Sequence, residues 1–240
     1  MKERLDKFIS SQTALSRREA QKAIRDARVT VNGATVRAAD VRIDTDSDIV
    51  ALDGQSLTYR ENVYYMMYKP AGVVSATEDR VERTVLDILP PELRRSGLFP
   101  AGRLDTDTTG LLILTDDGDY AHRMLSPKKH VWKRYIAVLD KEPDESIIRS
   151  FADGITLGDG AVCKSGKAEL LGGTRVAVQI REGKYHQVKR MFAALGYHVV
   201  SLERVCIGAL ELDGRLSPGE AREMSRDEAE LVFALNDAKA

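Results

Sequence analysis

Gly102-Arg103-Leu104-Asp105-Thr106-Asp107-Thr108-Thr109-Gly110-Leu111-Leu112-Ile113-Leu114-Thr115 carries a fold signal and a chemical one. Its second half, Leu111 to Thr115, is an apolar run of strand length. The approach through Pro100-Ala101-Gly102-Arg103 is turn-rich and lacks β-branched residues, so Asp105 reads as an acid presented by a loop. Asp105-Thr106-Asp107-Thr108-Thr109 also fits the DxDxT pattern of Mg²⁺-dependent aspartate-nucleophile phosphotransferases. That pattern normally ends a buried apolar strand, and an arginine two residues before the acid lies on its face of an extended chain, which suits a metal-free carboxylate. The plainest alternative is a surface aspartate accepting turn hydrogen bonds.

Outward from this stretch, Val63 to Tyr68 reads as a strand ending at Lys69-Pro70, and Val131 to Leu139 and Arg175 to Ile180 as further strands. Helices are predicted near 118–125, 143–152 and 186–195, the last stopped by Gly196, and Ser225 with Glu228 has the capping-box spacing before a final helix. Strands and helices do not alternate strictly, which favours an α+β domain on a mixed, largely antiparallel sheet with flanking helices. In the 186–195 helix, Val188, Met191, Phe192 and Leu195 share an apolar face, while His186, Lys189, Arg190 and Ala193 share the opposite one. A lysine or arginine brought beside Asp105 would favour the charged carboxylate, able to add to carbon or to steady an oxocarbenium-like sugar. Lys128, Lys129, Lys133 and Arg134 form a basic run around His130 and Trp132. Tyr135 follows as a base-stacking candidate or a core side chain.

The 240 residues, 43% hydrophobic and 30% charged, suit one or two globular domains and exclude a long solenoid. A net charge of −1 excludes a bulk polycation, yet residues 1–42 hold ten basic and five acidic side chains, and residues 211–240 eight acidic and four basic. In the basic head, Leu5, Phe8 and Ile9 recur at helical spacing. Ser16 and Glu19 form a capping box opening a second helix with Ala20, Ala23, Ile24 and Ala27 inward. Val29-Thr30-Val31 and Thr35-Val36 flank Asn32-Gly33, a two-residue hairpin signal, and residues 55–62 read as a linker. The clustered cations Arg4, Lys7, Arg17, Arg18, Lys22, Arg25 and Arg28 are candidates for phosphate contacts with RNA. Asp44 to Asp48 begins like a calcium loop but has Ile49 at the turn-glycine position. Gly160 to Lys167 resembles a phosphate loop but has wrongly spaced glycines. No metal site is expected from either. No apolar stretch is long enough to span a membrane or form a signal-peptide core, so the cytoplasm is expected, with Cys163 and Cys206 as reduced thiols.

The head, from Arg4-Leu5-Asp6-Lys7-Phe8 to Arg28-Val29-Thr30-Val31-Asn32-Gly33, resembles the S4 RNA-binding domain. The stretch 102–112 resembles the signature of RNA pseudouridine synthases, specifically the RsuA group acting on ribosomal RNA. Lys69-Pro70-Ala71-Gly72, Lys133-Arg134-Tyr135 and Gly183 to Phe192 look like further motifs of that family, in order. The resemblance implies an S4-like domain with its linker over 1–58 and a pseudouridine synthase domain over 59–240. It implies isomerisation of uridine to pseudouridine without metal or organic cofactor. Asp105, Tyr135 and Lys189 would then be catalytic: the carboxylate, the ring stacked on uracil and the cation paired with Asp105. Arg103 would fill the gap left by the extruded nucleotide, Leu202 would wall the base, and His186 and Arg190 would bind substrate. His186 and Lys189 look more like the small-subunit enzyme than its large-subunit relatives, which tend to carry arginine there. The implied partner is 16S rRNA in a small-subunit assembly intermediate, bound by a monomer. The rivals are a large-subunit enzyme, a non-catalytic S4-type RNA-binding protein, and the Mg²⁺-dependent phosphohydrolase.

Overall fold

The computed structural model describes residues 1–126, 129 and 131–234; the predicted basic residues Lys128 and His130 lie outside them. The amino-terminal part runs β1 (Lys2–Arg4), α1 (Leu5–Gln12), α2 (Arg17–Arg25), β2 (Val29–Val31), β3 (Ala34–Thr35), β4 (Arg42–Asp44), β5 (Val50–Leu52) and β6 (Gln55–Leu57). Leu5, Phe8 and Ile9 of α1 meet Ala20, Ala23 and Ile24 of α2 over Val29, Ile43 and Val50, an apolar core for a module this small. The α2 start is fixed by a reciprocal capping box: the Glu19 amide donates to Ser16 Oγ at 3.3 Å, and the Ser16 amide to Glu19 Oε2 at 2.8 Å. Asn32 (φ 53°) and Gly33 (φ 80°) make the tight turn between β2 and β3.

Two expectations for this region are corrected. Ala27 lies beyond α2, with φ 60°, and is only partly buried, because the helix ends at Arg25. Residues 55–57 are not linker: β6 extends the sheet ordered β3-β2-β5-β6, pairing Val50 with Leu57 and Leu52 with Gln55. The polar composition reflects an edge strand with one face in solvent.

The remainder comprises β7 (Tyr64–Lys69), β8 (Phe99–Pro100), β9 (Thr109–Thr115), α3 (Gly118–Leu125), β10 (Lys133–Leu139), α4 (Ser146–Asp153), β11 (Lys167–Leu170), β12 (Arg175–Ile180), α5 (Gln187–Ala194), β13 (Val199–Ile207), β14 (Leu210–Glu211), β15 (Ala221–Glu223) and α6 (Arg226–Glu230). The sheet order is β11-β12-β10-β13-β9-β7-β15, with β14 beside β13 and β8 beside β9. Every pairing is antiparallel except β13 with β9. This is the expected α+β architecture. Strand β9 is apolar on both faces because both are covered: Leu112 and Leu114 join one core, Leu111 and Ile113 the other. Ser225 caps α6 by accepting from the Glu228 amide at 3.1 Å. The Glu228 carboxylate turns instead to Arg222, at 2.5 Å, so the spacing yields half of the expected box.

The two parts meet at Arg95. Its guanidinium, 6% exposed, lies 2.8 Å from Asp116 and donates to Gln12 Oε1 at 3.3 Å and to the Arg60 carbonyl at 2.8 Å. The Ser96 amide donates to the Thr13 carbonyl at 2.9 Å, and the Arg60 amide to Gln12 Oε1 at 2.9 Å. One buried cation thus ties the end of α1, the connecting segment and the turn after β9. A pair so placed must be satisfied on all sides, or its desolvation is uncompensated.

Candidate active site

The stretch 101–108 forms a loop between β8 and the start of β9, as its turn-rich composition predicts. Two close contacts hold it. A Cβ on Gly110 (φ 105°) would meet the Arg204 carbonyl at 2.2 Å, so only glycine lets β9 lie against β13 where the loop ends. Lys69, fully buried at the end of β7, donates to the carbonyls of Pro70 at 2.9 Å, Thr106 at 3.3 Å and Thr108 at 3.0 Å. Ser75 Oγ braces the other side, donating to the Leu104 carbonyl at 3.0 Å and accepting from the Leu104 amide at 3.1 Å. The loop that presents Asp105 is therefore fixed through its backbone.

Lys69 makes no ion pair among the described residues, and burial pushes its ammonium down to about 8, although Asp107 and Asp105 act against that fall. Its charge-assisted bonds to the loop are present below that value and weaken above it. Between about 8 and the ordinary lysine value of 10.5 the unfolded chain holds the extra proton, so the Lys69 contribution to stability rises with pH while its grip on the loop declines. Initial rates should fall as pH rises through about 8. Lys69→Met should be slower throughout, by roughly 10- to 100-fold, and should lack that alkaline limb. A limb that persists in Lys69→Met would belong to another group, such as Lys133, which burial and Arg204 also depress to about 8.

Asp105 faces α5. Lys189 Nζ lies 3.1 Å from Asp105 Oδ2 and also binds Asp107 Oδ1, and His186 Nε2 lies 3.5 Å from Asp105 Oδ1. The ammonium thus stands between the two carboxylates, where DxDxT chemistry would place a divalent ion. Its hydrogen bond holds the Asp107 carboxyl below the usual range. Burial opposes the charge on Lys189, but the bonds to Asp107 and Asp105 outweigh it and raise its pKa. His186 precedes α5 with φ 47° and ψ 36°, a left-handed conformation that costs a non-glycine residue roughly 1 kcal/mol or more. Its ring stacks on Tyr185, centroids 3.7 Å apart. The turn is held by Gln187, 4% exposed, which accepts from the Lys184 amide at 2.8 Å and donates to Glu182 at 2.7 Å.

Asp105, His186, Tyr185, Gln187 and Ser75 line one cleft of about 470 Å³, a volume suited to a small ligand or a single nucleotide, while Lys189, Asp107 and Lys69 are not in its wall. Asp105, Arg103, Tyr135, Leu202 and His186 are all in its wall, with Thr108 and Ile180. Tyr135 is 8% exposed, so it is both a core side chain on β10 and part of the wall. Thr108 Oγ1 is buried with no hydrogen-bond partner among the described residues. Arg190 departs from its expected place: its guanidinium pairs with Asp159 at 2.5 Å and does not line the cleft. The outward face drawn for residues 186–193 is split, because Lys189 turns to the Asp105 loop and Arg190 to the 159 loop.

The predicted RNA-contacting cations divide likewise. Asp6, fully buried, is met by Arg4 at 3.0 Å, Gln21 at 2.8 Å and Arg17 at 3.3 Å. Burial alone pushes the Asp6 carboxyl up, but these bonds hold it well below the usual range. Lys7 pairs with Glu3 and Arg28 with Asp53. Arg18, Lys22 and Arg25 make no ion pair among the described residues and share one exposed stripe of α2 at i, i+4 and i+7.

Lys69, Ser75 and Gln187 are site residues for which no role was predicted. A lysine closing the apolar run Tyr64-Tyr65-Met66-Met67-Tyr68 was the available signal for the first.

A family model described as RNA pseudouridylate synthase matches residues 63–194, and one described as S4 domain matches residues 3–50. The chain belongs to the RNA pseudouridylate synthase family. Ribosomal small subunit pseudouridine synthase A of Escherichia coli K12 is 43% identical over 95% of this chain and 99% of its own. An uncharacterized RNA pseudouridine synthase of Bacillus subtilis 168 is 42% identical over 95% and 98%. A crystal structure of a pseudouridylate synthase, 42% identical, matches 95% of this chain and 99% of its own with a TM-score of 0.68. The protein is an RNA-modifying isomerase with an S4 RNA-binding domain.

Proposed function

We propose that the protein converts one uridine of 16S rRNA to pseudouridine, acting as a monomer on a small-subunit assembly intermediate in the cytoplasm. The observation that carries this reading is Asp105, paired with Lys189, in the wall of a cleft that Tyr135 also lines. The high identity to the small-subunit enzyme of E. coli over nearly the whole chain supports the choice of rRNA. No helix among the described residues is long and apolar enough to cross a membrane. Residues 1–58 form the RNA-binding part and 59–240 the catalytic part, a division supported by β6 closing the first sheet at Leu57.

The target nucleotide leaves its stack and enters the cleft, because the sugar and C5 edge cannot be reached inside a helix. Arg103, exposed at the rim, occupies the vacated position, and Leu202 and Tyr135 take the two faces of the uracil. The Asp105 carboxylate attacks C1′ or takes the C2′ proton while the N1–C1′ bond breaks. The detached base turns and C5 bonds to C1′ as the carboxylate departs or the C2′ proton returns; C5 then loses its proton and N1 takes one up, so the isomerisation neither gains nor loses an atom. Lys189 balances the charge of Asp105 throughout, so neither metal nor organic cofactor is required. His186 contacts the substrate beside Asp105; Arg190, held by Asp159, orders the 159 loop at the rim.

The deciding measurement is pseudouridine mapping of rRNA from cells lacking the protein. Loss of a single site in 16S rRNA is expected; loss in 23S rRNA would assign the large-subunit reaction, and an unchanged map would remove the reading. For RNA capture, the α2 stripe supplies three unpaired cations. Changing Arg18, Lys22 and Arg25 together to Gln should lower the slope of log affinity against log salt by about 2 to 3. An unaltered slope would move the phosphate contacts elsewhere.

A further inference from the structure

The chain has a single tryptophan, Trp132, and it stands just outside the cleft. In the β10–β12 ladder Lys133 lies opposite Ile180, a residue of the cleft wall, so Trp132 and Arg181 face each other one step beyond it. Lys167 opens β11 opposite Gln179. The Arg181 guanidinium carbon lies 5.1 Å from the centroid of the indole ring and Lys167 Nζ 6.0 Å from it. Cations at such distances are drawn to the ring's negative face.

These two cations are not neutralised. Neither Arg181 nor Lys167 makes an ion pair among the described residues, although nearby Arg134 is paired with Glu169 and Lys184 with Glu182. Arg181 spends one nitrogen on Ser165 Oγ, at 3.0 Å, and its Nε–H is buried with no acceptor among the described residues. Lys167 is exposed and hydrated, whereas the indole and the Arg181 Nε–H are partly withdrawn from solvent, so an anion with a flat apolar part would find there both a charge partner and a stacking surface. A nucleotide has both: a phosphate for the cations and a base for the ring or the guanidinium plane. Trp132 is three residues from Tyr135 along β10, about 10 Å, and its ring projects from the opposite face of the sheet, so an RNA strand that leaves the cleft over the start of β10 passes onto it.

Building on the proposed rRNA reaction, we infer that Trp132, Arg181 and Lys167 form a second subsite that seats an unpaired nucleotide flanking the target uridine. The base stacks on the indole–guanidinium platform while Arg181 and Lys167 hold its phosphate. Sequence context beside the target would then be read through stacking, outside the catalytic cleft.

Because no other tryptophan is present, intrinsic fluorescence reports on this position alone. Asp105→Asn protein titrated with the 16S rRNA fragment that contains the target loop should lose Trp132 emission along the isotherm measured independently by filter binding. The bound RNA should also shield the ring from acrylamide. In the active protein, Trp132→Ala should raise KM roughly tenfold, with the loss falling on KM rather than kcat, and Trp132→Phe should recover most of it. Arg181→Gln with Lys167→Gln should lower the salt slope by about 1 to 2. Unchanged emission at saturating RNA, or an unchanged KM in Trp132→Ala, would overturn the subsite. Wild-type protein that forms no pseudouridine in that RNA yet loses emission on binding it would refute the proposed reaction and leave the subsite standing.

Discussion

Asp105→Asn should retain affinity for rRNA and lose tritium release from C5-labelled uridine by roughly 10⁴-fold or more, the scale on which removal of a group acting directly on the reacting atoms is felt. The substitution is nearly isosteric, and the amide oxygen can still accept from Lys189 Nζ, now 3.1 Å from Asp105 Oδ2. Lys69 and Ser75 hold the loop through backbone carbonyls and amides, so its shape does not depend on the charge at 105. What disappears is the negative oxygen that, in the proposed reaction, attacks C1′ or takes the C2′ proton. Activity equal to wild type would remove Asp105 from the mechanism. Parallel loss of binding and activity would show instead that the charge shapes the cleft.

The second large effect is at Lys189. In Lys189→Met the carboxylates of Asp105 and Asp107 lose the ammonium they share, and a developing charge in the cleft loses its fixed counter-ion. A fall of roughly 10²- to 10³-fold in kcat is expected, the usual consequence of deleting one preorganised electrostatic partner. Lys189→Arg should recover much of it. The pH dependence has a definite sign. Asp107 is depressed by Lys189, so the bond is present at neutral pH and lost as pH falls through that lowered value. Lys189 is raised, so its own contribution persists up to strongly alkaline pH. The Asp107–Lys189 pair is therefore intact across the physiological range. Because Asp105 and Lys189 act as a unit, Asp105→Asn combined with Lys189→Met should be little worse than Asp105→Asn alone. Additive losses in the double variant would mean that the lysine acts on the substrate independently.

Much of the site was legible because local chemistry announced it. The turn-rich approach to Asp105, the apolar run after it and the helix stop at Gly196 all depend on residues within a few positions of one another. The pairing of Asp105 with Lys189, 84 residues apart, followed from the family resemblance; periodicity gave only a cationic helix face. That face could not say that Lys189 and Arg190, adjacent on α5, turn to Asp105 and Asp159 on different loops, because the loops' positions are tertiary facts. Nor could composition separate the free cations of α2 from Arg4 and Arg17, which are claimed by the buried carboxylate of Asp6. Lys69 shows the same limit: its three acceptors are backbone carbonyls, which leave no trace in residue type. Strand β6 was hidden in a polar stretch because an edge strand needs few apolar residues.

The joint at Arg95 has a bearing on how one uridine is picked from many. A guanidinium shut between Asp116, Gln12 and the Arg60 carbonyl leaves little play between the stripe on α2 and the mouth of the cleft. If that stripe anchors RNA as proposed, the molecule would act as a pair of callipers held near one opening. Under the proposed function, an RNA fold would qualify when its backbone anchor and its presented uridine are separated by that gap, and a uridine in an identical local sequence but at another spacing would be passed over.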